Sequence, residues 1–381
     1  MDRFIPWLSL KSVRGVGNHT FKLLVERFGS PENVFCASKK ELLATTGITE
    51  KIASAILSHK PPDSIKKVLD ACKRMGITVV TLNDHDYPAL LKEIYDPPPY
   101  LYVLGRIEPD AACISIVGSR NPTSYGLAMA TRLASDLAAS GITVVSGMAR
   151  GIDTAAHRGA LKAGGDTYAV LGSGLARIYP PENTGLARDI AGQGAVISEF
   201  PVFSDPEPHH FPARNRIISG ISLGTIVVEA AQRSGSLITA RLAMEQNREV
   251  FAVPGSIKSA KSTGTHGLLK QGAALVENAA DVLSGISHML SHISKQDHLA
   301  GDNSIESGHT AGDKKKQPSL DMDEKLVLQT LEPYPIHIDD IARKIKMGPG
   351  KTAGILLRLE LKGLVIQEPG KRFLLREGCI E

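Results

Sequence analysis

Ile114-Ser115-Ile116-Val117-Gly118-Ser119-Arg120-Asn121-Pro122-Thr123 is the stretch that decides the fold. A short apolar run rich in β-branched side chains passes without polar alternation into a glycine, then into hydroxyl, guanidinium and amide groups, with a helical pattern starting near Tyr125-Gly126. Lack of alternation predicts a strand covered on both faces. Outward from it, runs of the same kind stand at 143–145, 167–171, 195–198, 225–228, 249–253 and 274–276, separated by amphipathic stretches of helical length. The alternation predicts an α/β domain over 111–284, a Rossmann-like doubly wound and mostly parallel sheet.

The flanks read differently. Over 1–60 the pattern is helical with short turns, Val13-Arg14-Gly15-Val16-Gly17 and Thr46-Gly47-Ile48-Thr49, as in a helix-hairpin-helix or SAM-like domain. Glycines in such hairpins let helix N-terminal amides approach a DNA phosphate, although a plain helix-helix turn has the same look. Residues 61–110 carry Pro61-Pro62, Tyr87-Pro88 and Pro97-Pro98-Pro99 around a helix and a strand at 77–82, and read as an extended bridge. Over 285–320 apolar periodicity fails and Ser, His, Gly and Asp accumulate up to Lys314-Lys315-Lys316, which predicts a flexible linker. Residues 321–381 give three helices and a hairpin around Pro369-Gly370, a winged helix.

Composition narrows the function classes. With 42% hydrophobic and 22% charged residues the chain is neither disordered nor fibrous. A net charge of +4 over 381 residues excludes a polycation, so phosphate affinity has to come from a few focused Arg or Lys. The four cysteines are scattered without zinc-ligand spacing. No leader pattern and no spanning run is seen, and the expected compartment is the cytoplasm.

Doubly wound sheets bind ligands at the carboxyl ends of their strands. After the first run, Ser119 offers a hydroxyl and Arg120 a bidentate fork suited to a phosphodiester, while the absence of G-x-G-x-x-G argues against a dinucleotide. The second loop, Ser146-Gly147-Met148-Ala149-Arg150-Gly151-Ile152-Asp153, is followed by His157 one turn after Asp153; an acid/base pair is conceivable there, and local capping explains the pattern better. The third, from Leu171 through Tyr179-Pro180-Pro181-Glu182-Asn183, could line a pocket or act as a rigid connection. The fourth, His209-His210-Phe211-Pro212-Ala213-Arg214-Asn215-Arg216, joins an aromatic face, two guanidiniums and an amide, the set that single-stranded nucleic acid rewards. One of its arginines could instead pair with Glu199 or Glu229. The fifth offers Ser234, Gly235 and Ser236 at a helix start. Gly348-Pro349-Gly350-Lys351-Thr352 imitates the end of a Walker A loop but lacks its first glycine and a preceding strand. His209-His210 shows no carboxylate or cysteine partner at ligand spacing, so neither metal nor cofactor is expected.

As an ordered set, Gly118-Ser119-Arg120, 146–153, 179–183, 211–218, 229–240 and Val253-Pro254-Gly255-Ser256 resemble the bacterial DNA-processing protein DprA (Smf) family across all of 111–283. The resemblance implies a non-enzymatic single-stranded DNA binder that protects incoming strands during natural transformation and loads the RecA recombinase, helps displace single-strand-binding protein, and forms homodimers. It further implies phosphate contacts from Arg120 and from Arg214 or Arg216, short polar or backbone contacts from Ser119, Ser146, Gly147, Gly235 and Ser236, and base stacking on Phe211; Asn215 is expected at the strand from the chemistry of its own motif. Two positions depart from the family pattern: Ala176, where an acidic residue is usual, and His266, where an asparagine is usual. Two other readings compete. One is a nucleotide hydrolase of the lysine-decarboxylase-like group. The other is a winged-helix regulator using Lys344, Lys346, Lys351 and Arg358, against which stand ten basic and ten acidic residues over 321–381.

Overall fold

The computed structural model describes residues 2–297, 321–331, 335–345, 347–362, 364–368 and 370–375. Residues 1–299 and 300–381 form two units.

In the larger unit the buried runs become strands β3 (Cys113–Val117), β4 (Thr143–Ser146), β5 (Thr167–Val170), β6 (Ala195–Ser198), β7 (Gly224–Val227), β8 (Glu249–Ala252) and β9 (Ala274–Leu275). Period-two geometry divides β3 between two cores: Ile114 and Ile116 join one cluster, Cys113 and Val117 the other. The first cluster is completed by helices α8 (Ser124–Ala139), α9 (Ile152–Lys162) and α14 (Ala279–Asp297). On the opposite face lie α10 (Thr184–Gln193), α11 (His210–Ile221) and α12 (Ser236–Glu245); α13 (Thr263–Lys270) follows β8.

The bridge expected over 61–110 is corrected. Its segments β1 (Thr78–Thr81) and β2 (Tyr100–Gly105) extend the sheet, β1 against β2 and β2 against β6, both antiparallel. The strand order is β1-β2-β6-β5-β4-β3-β7-β8-β9. Prolines stand before β2 and leave its ladder amides free, so an extended proline-flanked segment and a sheet strand are compatible. α7 (Ala89–Glu93) connects the two strands.

The N-terminal helices are α1 (Ile5–Ser12), α2 (Asn18–Phe28), α3 (Pro31–Cys36), α4 (Lys39–Leu43), α5 (Glu50–Leu57) and α6 (Ser64–Met75). Ser38 with Glu41 forms a capping box on α4, and Thr49 accepts the Ile52 amide to start α5. Trp7, Phe21 and Leu24 belong to the same hydrophobic core as Val170 and Ile197 of the sheet, so the bundle and the α/β domain share one interior. The expected linker begins later than its composition suggests, because α14 runs on to Asp297; the rest of 285–320 lies outside the described residues. Its Leu283, Ile286 and Leu290 recur at helical spacing and pack on the sheet, an apolar stripe sufficient to sustain a helix in a polar composition.

The smaller unit has α15 (Met322–Thr330), β10 (Ile336–His337), α16 (Ile338–Lys344), α17 (Pro349–Leu361), β11 (Val365–Glu368) and β12 (Arg372–Leu375). β10 pairs with β12 beside the expected hairpin, completing a winged helix. Gly348 caps α17 between two helices, which removes the Walker A resemblance. Of the basic residues considered for a DNA face, Lys351 pairs with Asp323 at 2.7 Å and Arg358 lies 3.6 Å from Glu324; Lys346 lies outside the described residues.

Candidate nucleic-acid interface

Parallel strands run one way from β3 through β4, β5 and β6, and the other way through β7, β8 and β9. The topological switch therefore falls between β3 and β7, where adjacent loops diverge and open a crevice at the strands' carboxyl ends. A cleft of about 570 Å³ occupies that position, lined among others by Gly118, Arg120, Phe211, Arg214, Asn215 and Ser236. An adjoining hollow of about 170 Å³ shares Arg120, Phe211 and Arg214 and adds Asn121, Arg150 and Tyr179.

Two guanidiniums lie close to the Phe211 ring. The Arg120 Cζ is 5.6 Å from its ring centroid and the Arg214 Cζ 5.9 Å, both within cation–π reach. Gly172 permits this placement, since a Cβ there would come 2.9 Å from the ring. Tyr179 tilts against Phe211 at 5.8 Å, so the third loop forms a wall of the site as well as a connection.

The two cleft arginines differ in freedom. Arg120 is exposed, and among the described residues it makes no ion pair; its charge faces the cleft over Phe211. Arg214 is buried and donates to the carbonyls of Gly147, at 2.7 Å, and of Val170, while its Nε donates to Asn215 Oδ1 at 3.1 Å. Burial lowers its pKa to about 10, offset in part by the Asp153 carboxylate, so it remains charged at neutral pH. A Cβ on Gly147 would lie 2.8 Å from that guanidinium, which is why the position suits glycine.

Asp153 and His157 do not form an acid/base pair. Asp153 accepts the amides of Gly147, at 3.2 Å, and Ala149, at 3.3 Å, and burial pushes its pKa up to about 6 against the pull of Arg214. His157 shares a 2.7 Å hydrogen bond with Thr167 Oγ1 at the start of β5, and burial pushes its pKa down to about 3. Glu229, also buried, accepts the backbone N–H of Thr123 at 3.0 Å and the Thr123 hydroxyl. Both buried carboxylates beside the cleft are thus engaged in holding its loops.

Arg216 is corrected as a strand-contacting residue. It points to the other side of α11, where its Nε lies 3.2 Å from Asp96 and its Nη2 pairs with Glu199; its side chain is 9% exposed. Asn18 of α2 donates to the same Glu199 at 3.4 Å, and Lys11 of α1 donates to Asn18, so Arg216 fastens the helical bundle to the sheet. Burial pushes Glu199 up and Lys11 down from their ordinary ranges despite these opposite charges.

Ser146 is corrected likewise. Its hydroxyl is fully buried and donates to the Ile116 carbonyl at 2.6 Å, tying β4 to β3. Ser119 Oγ accepts the Asn121 amide at 3.2 Å and steadies the loop that carries Arg120. Gly235 and Ser236 begin α12 on the cleft's far side, where the hydroxyls of Ser234 and Ser236 lie 2.8 Å apart. Tyr179, Asn121 and Arg150 line the site although sequence alone does not assign them to it. Their only signal is that of polar and aromatic groups in other strand-end loops, and Arg150 is paired with Glu182. At the two unusual positions, the Ala176 amide donates to Val202 O at 2.9 Å, and His266 Nε2 lies 3.0 Å from Gly255 O.

The expectation that no carboxylate accompanies His209-His210 is also corrected: the ligand atoms of Glu207, His209 and His210 all lie within 4.8 Å of one another. Among the described residues no helix is long and apolar enough to cross a membrane.

Residues 78–287 match the family described as DNA recombination-mediator protein A, 312–371 match the DprA winged helix domain, and 7–68 match a helix-hairpin-helix motif. The chain is 37% identical to the protein Smf of Synechocystis sp. over 96% of its own length and 97% of the relative's. It resembles the X-ray structure of DNA processing protein A from Streptococcus pneumoniae with a TM-score of 0.62 at 35% identity, covering 73% of this chain and 96% of that one. A structure of the Helicobacter pylori protein, described for its single-stranded DNA binding mode, gives a TM-score of 0.50 at 31% identity over 56% of this chain and 97% of that one.

Proposed function

The chain belongs to the DNA recombination-mediator protein A (DprA, Smf) family, and from that premise we propose that its central cleft binds single-stranded DNA. The observation that carries the reading is the Phe211 ring with the Arg120 and Arg214 guanidiniums both within cation–π reach of it, at the topological switch point. An aromatic ring stacks an unpaired base, and the Arg120 guanidinium near it, which makes no ion pair among the described residues, neutralises an adjoining phosphate. Duplex DNA hides its base faces and does not satisfy the first half of that arrangement. Of the residues named from sequence, Arg120, Phe211, Arg214, Asn215, Gly235 and Ser236 are the ones we assign to the strand. Ser119 and Gly147 act by shaping the loops around it.

The site is read as a binding surface. The two buried carboxylates beside the cleft, Asp153 and Glu229, are spent on holding its loops and offer no free base for hydrolysis. Beyond strand binding, membership in a recombination-mediator family supports delivery of the strand to RecA, displacement of single-strand-binding protein and action as a homodimer. Fluorescence anisotropy with labelled oligothymidylate tests the first step. Single strand should bind more tightly than duplex, with affinity falling steeply as salt rises. Equal affinity for the two forms would sink the reading. Strand-exchange assays with RecA and single-strand-binding protein test the second.

A further inference from the structure

We propose that Glu207, His209 and His210 form a binding site for a divalent transition-metal ion of the zinc class, placed at the start of α11 beside the cleft. The backbone brings the three together: the His210 N–H donates to the Glu207 carbonyl at 2.9 Å, closing a turn that contains Pro208 and follows Pro206. Prolines at both positions restrict that turn before any ligand arrives, which lowers the ordering cost of binding.

The donor spacing fits. Glu207 Oε2 and His209 Nδ1 are 3.4 Å apart. Ligands about 2.1 Å from a tetrahedral zinc ion stand roughly 3.4 Å from one another, so this ion-pair separation matches one edge of such a coordination shell. The three donors lie within 4.8 Å of one another, a gap that side-chain rotation can close. His210 is held for the purpose: its ring stacks on Phe200 at 3.9 Å and meets His209 edge-on at 4.5 Å. Its Nδ1 is buried and has no hydrogen-bond partner within the fold, so the hydrogen bonding of the ring is incomplete.

The donor set also selects the ion. Two imidazoles and one carboxylate suit Zn²⁺, Co²⁺ or Ni²⁺, whereas Ca²⁺ and Mg²⁺ require mainly oxygen. The N-terminal partial charge of α11 opposes a cation, and the full negative charge of Glu207 outweighs it. Three protein ligands leave a fourth position for water. An ion held here fastens Pro208 and Phe211, both of which line the cleft.

The site stands independently of the strand-binding reading and is tested without DNA. The full chain, stripped of metal by a chelator and titrated with Co²⁺, should take up one equivalent with visible ligand-field bands that Zn²⁺ then abolishes. Glu207→Gln and His209→Ala, both at exposed side chains and so safe for folding, should each weaken that binding by about tenfold or more. Unchanged far-ultraviolet circular dichroism confirms that the variants are folded. Absence of a saturable equivalent, or Co²⁺ binding that both folded variants retain in full, would overturn the proposal.

Discussion

Two faces of α11 carry the same functional group to opposite ends. Arg214 lines the cleft, bonded to the carbonyls of Gly147 and Val170 with the Asp153 carboxylate as its nearby opposite charge; Arg216, two residues on, looks the other way into Glu199 and Asp96. A helix turns about 200° over two residues, so neighbouring arginines in one motif necessarily face different surroundings. What separates the two is their direct bonding, backbone carbonyls at the cleft for Arg214 and carboxylates at the helical bundle for Arg216.

The sharpest way to break this comparison is to remove the structural arginine. Arg216→Ala leaves Glu199 buried without its main partner and is expected to cost about 3–5 kcal/mol of stability, read from urea denaturation. Strand affinity of the folded fraction should stay near wild type. A large affinity loss with stability intact would reverse the assignment of the two faces.

On the cleft face the prediction inverts. Arg120→Ala should leave the urea midpoint in place and weaken oligothymidylate binding by about 1.5–3 kcal/mol, the range for a hydrogen bond to a charged group. The slope of log affinity against log salt should become shallower by about 0.7 for each phosphate that the variant no longer neutralises. An unchanged slope would mean that Arg120 touches no phosphate. Phe211→Ala should cost about 1–3 kcal/mol of affinity with no change in that slope, because stacking releases no counterions. Titrations at three salt concentrations separate the two variants.

A further effect concerns pH. His157, pushed down to about 3 from 6.5, is neutral in the fold; its contribution is complete above 6.5 and is lost as pH falls toward 3. Asp153, pushed up to about 6 from 3.8, acts in the opposite sense, its contribution being present below 3.8 and lost as pH rises through 6. Between pH 6 and 4 the two oppose each other. His157→Gln should therefore flatten the loss of stability on acidification and Asp153→Asn should steepen it, as followed by urea midpoints from about pH 7.5 to 4.5. Identical pH slopes in both variants would mean that neither group is held as described.

Much of the central domain was legible because a strand covered on both faces must be apolar at every position, and all seven runs over 111–284 emerged as strands. Residues 61–110 mislead for a related reason: prolines mark extended chain, but an extended segment becomes a strand only when a partner is near, and the partner of β2 is β6, some ninety residues away. The site divides along the same line. Phe211, Arg214 and Asn215 are local to one motif, and their chemistry was visible there. Tyr179 and Arg150 reach the cleft from other loops, and Glu207 joins His209 and His210 through a turn whose closure no spacing rule encodes.

By itself, then, the amino-acid order determined the layered α/β core, the strand ends at which chemistry is possible and the residue types gathered there, because burial periodicity and side-chain chemistry are local properties. Only the tertiary structure decided that Arg216 and Ser146 serve the interior, that Arg120 and Arg214 meet at one aromatic ring, and that the helical bundle is fastened through Glu199. Those outcomes depend on which distant carboxylate or carbonyl lies within a few ångströms, and that is fixed when the chain packs.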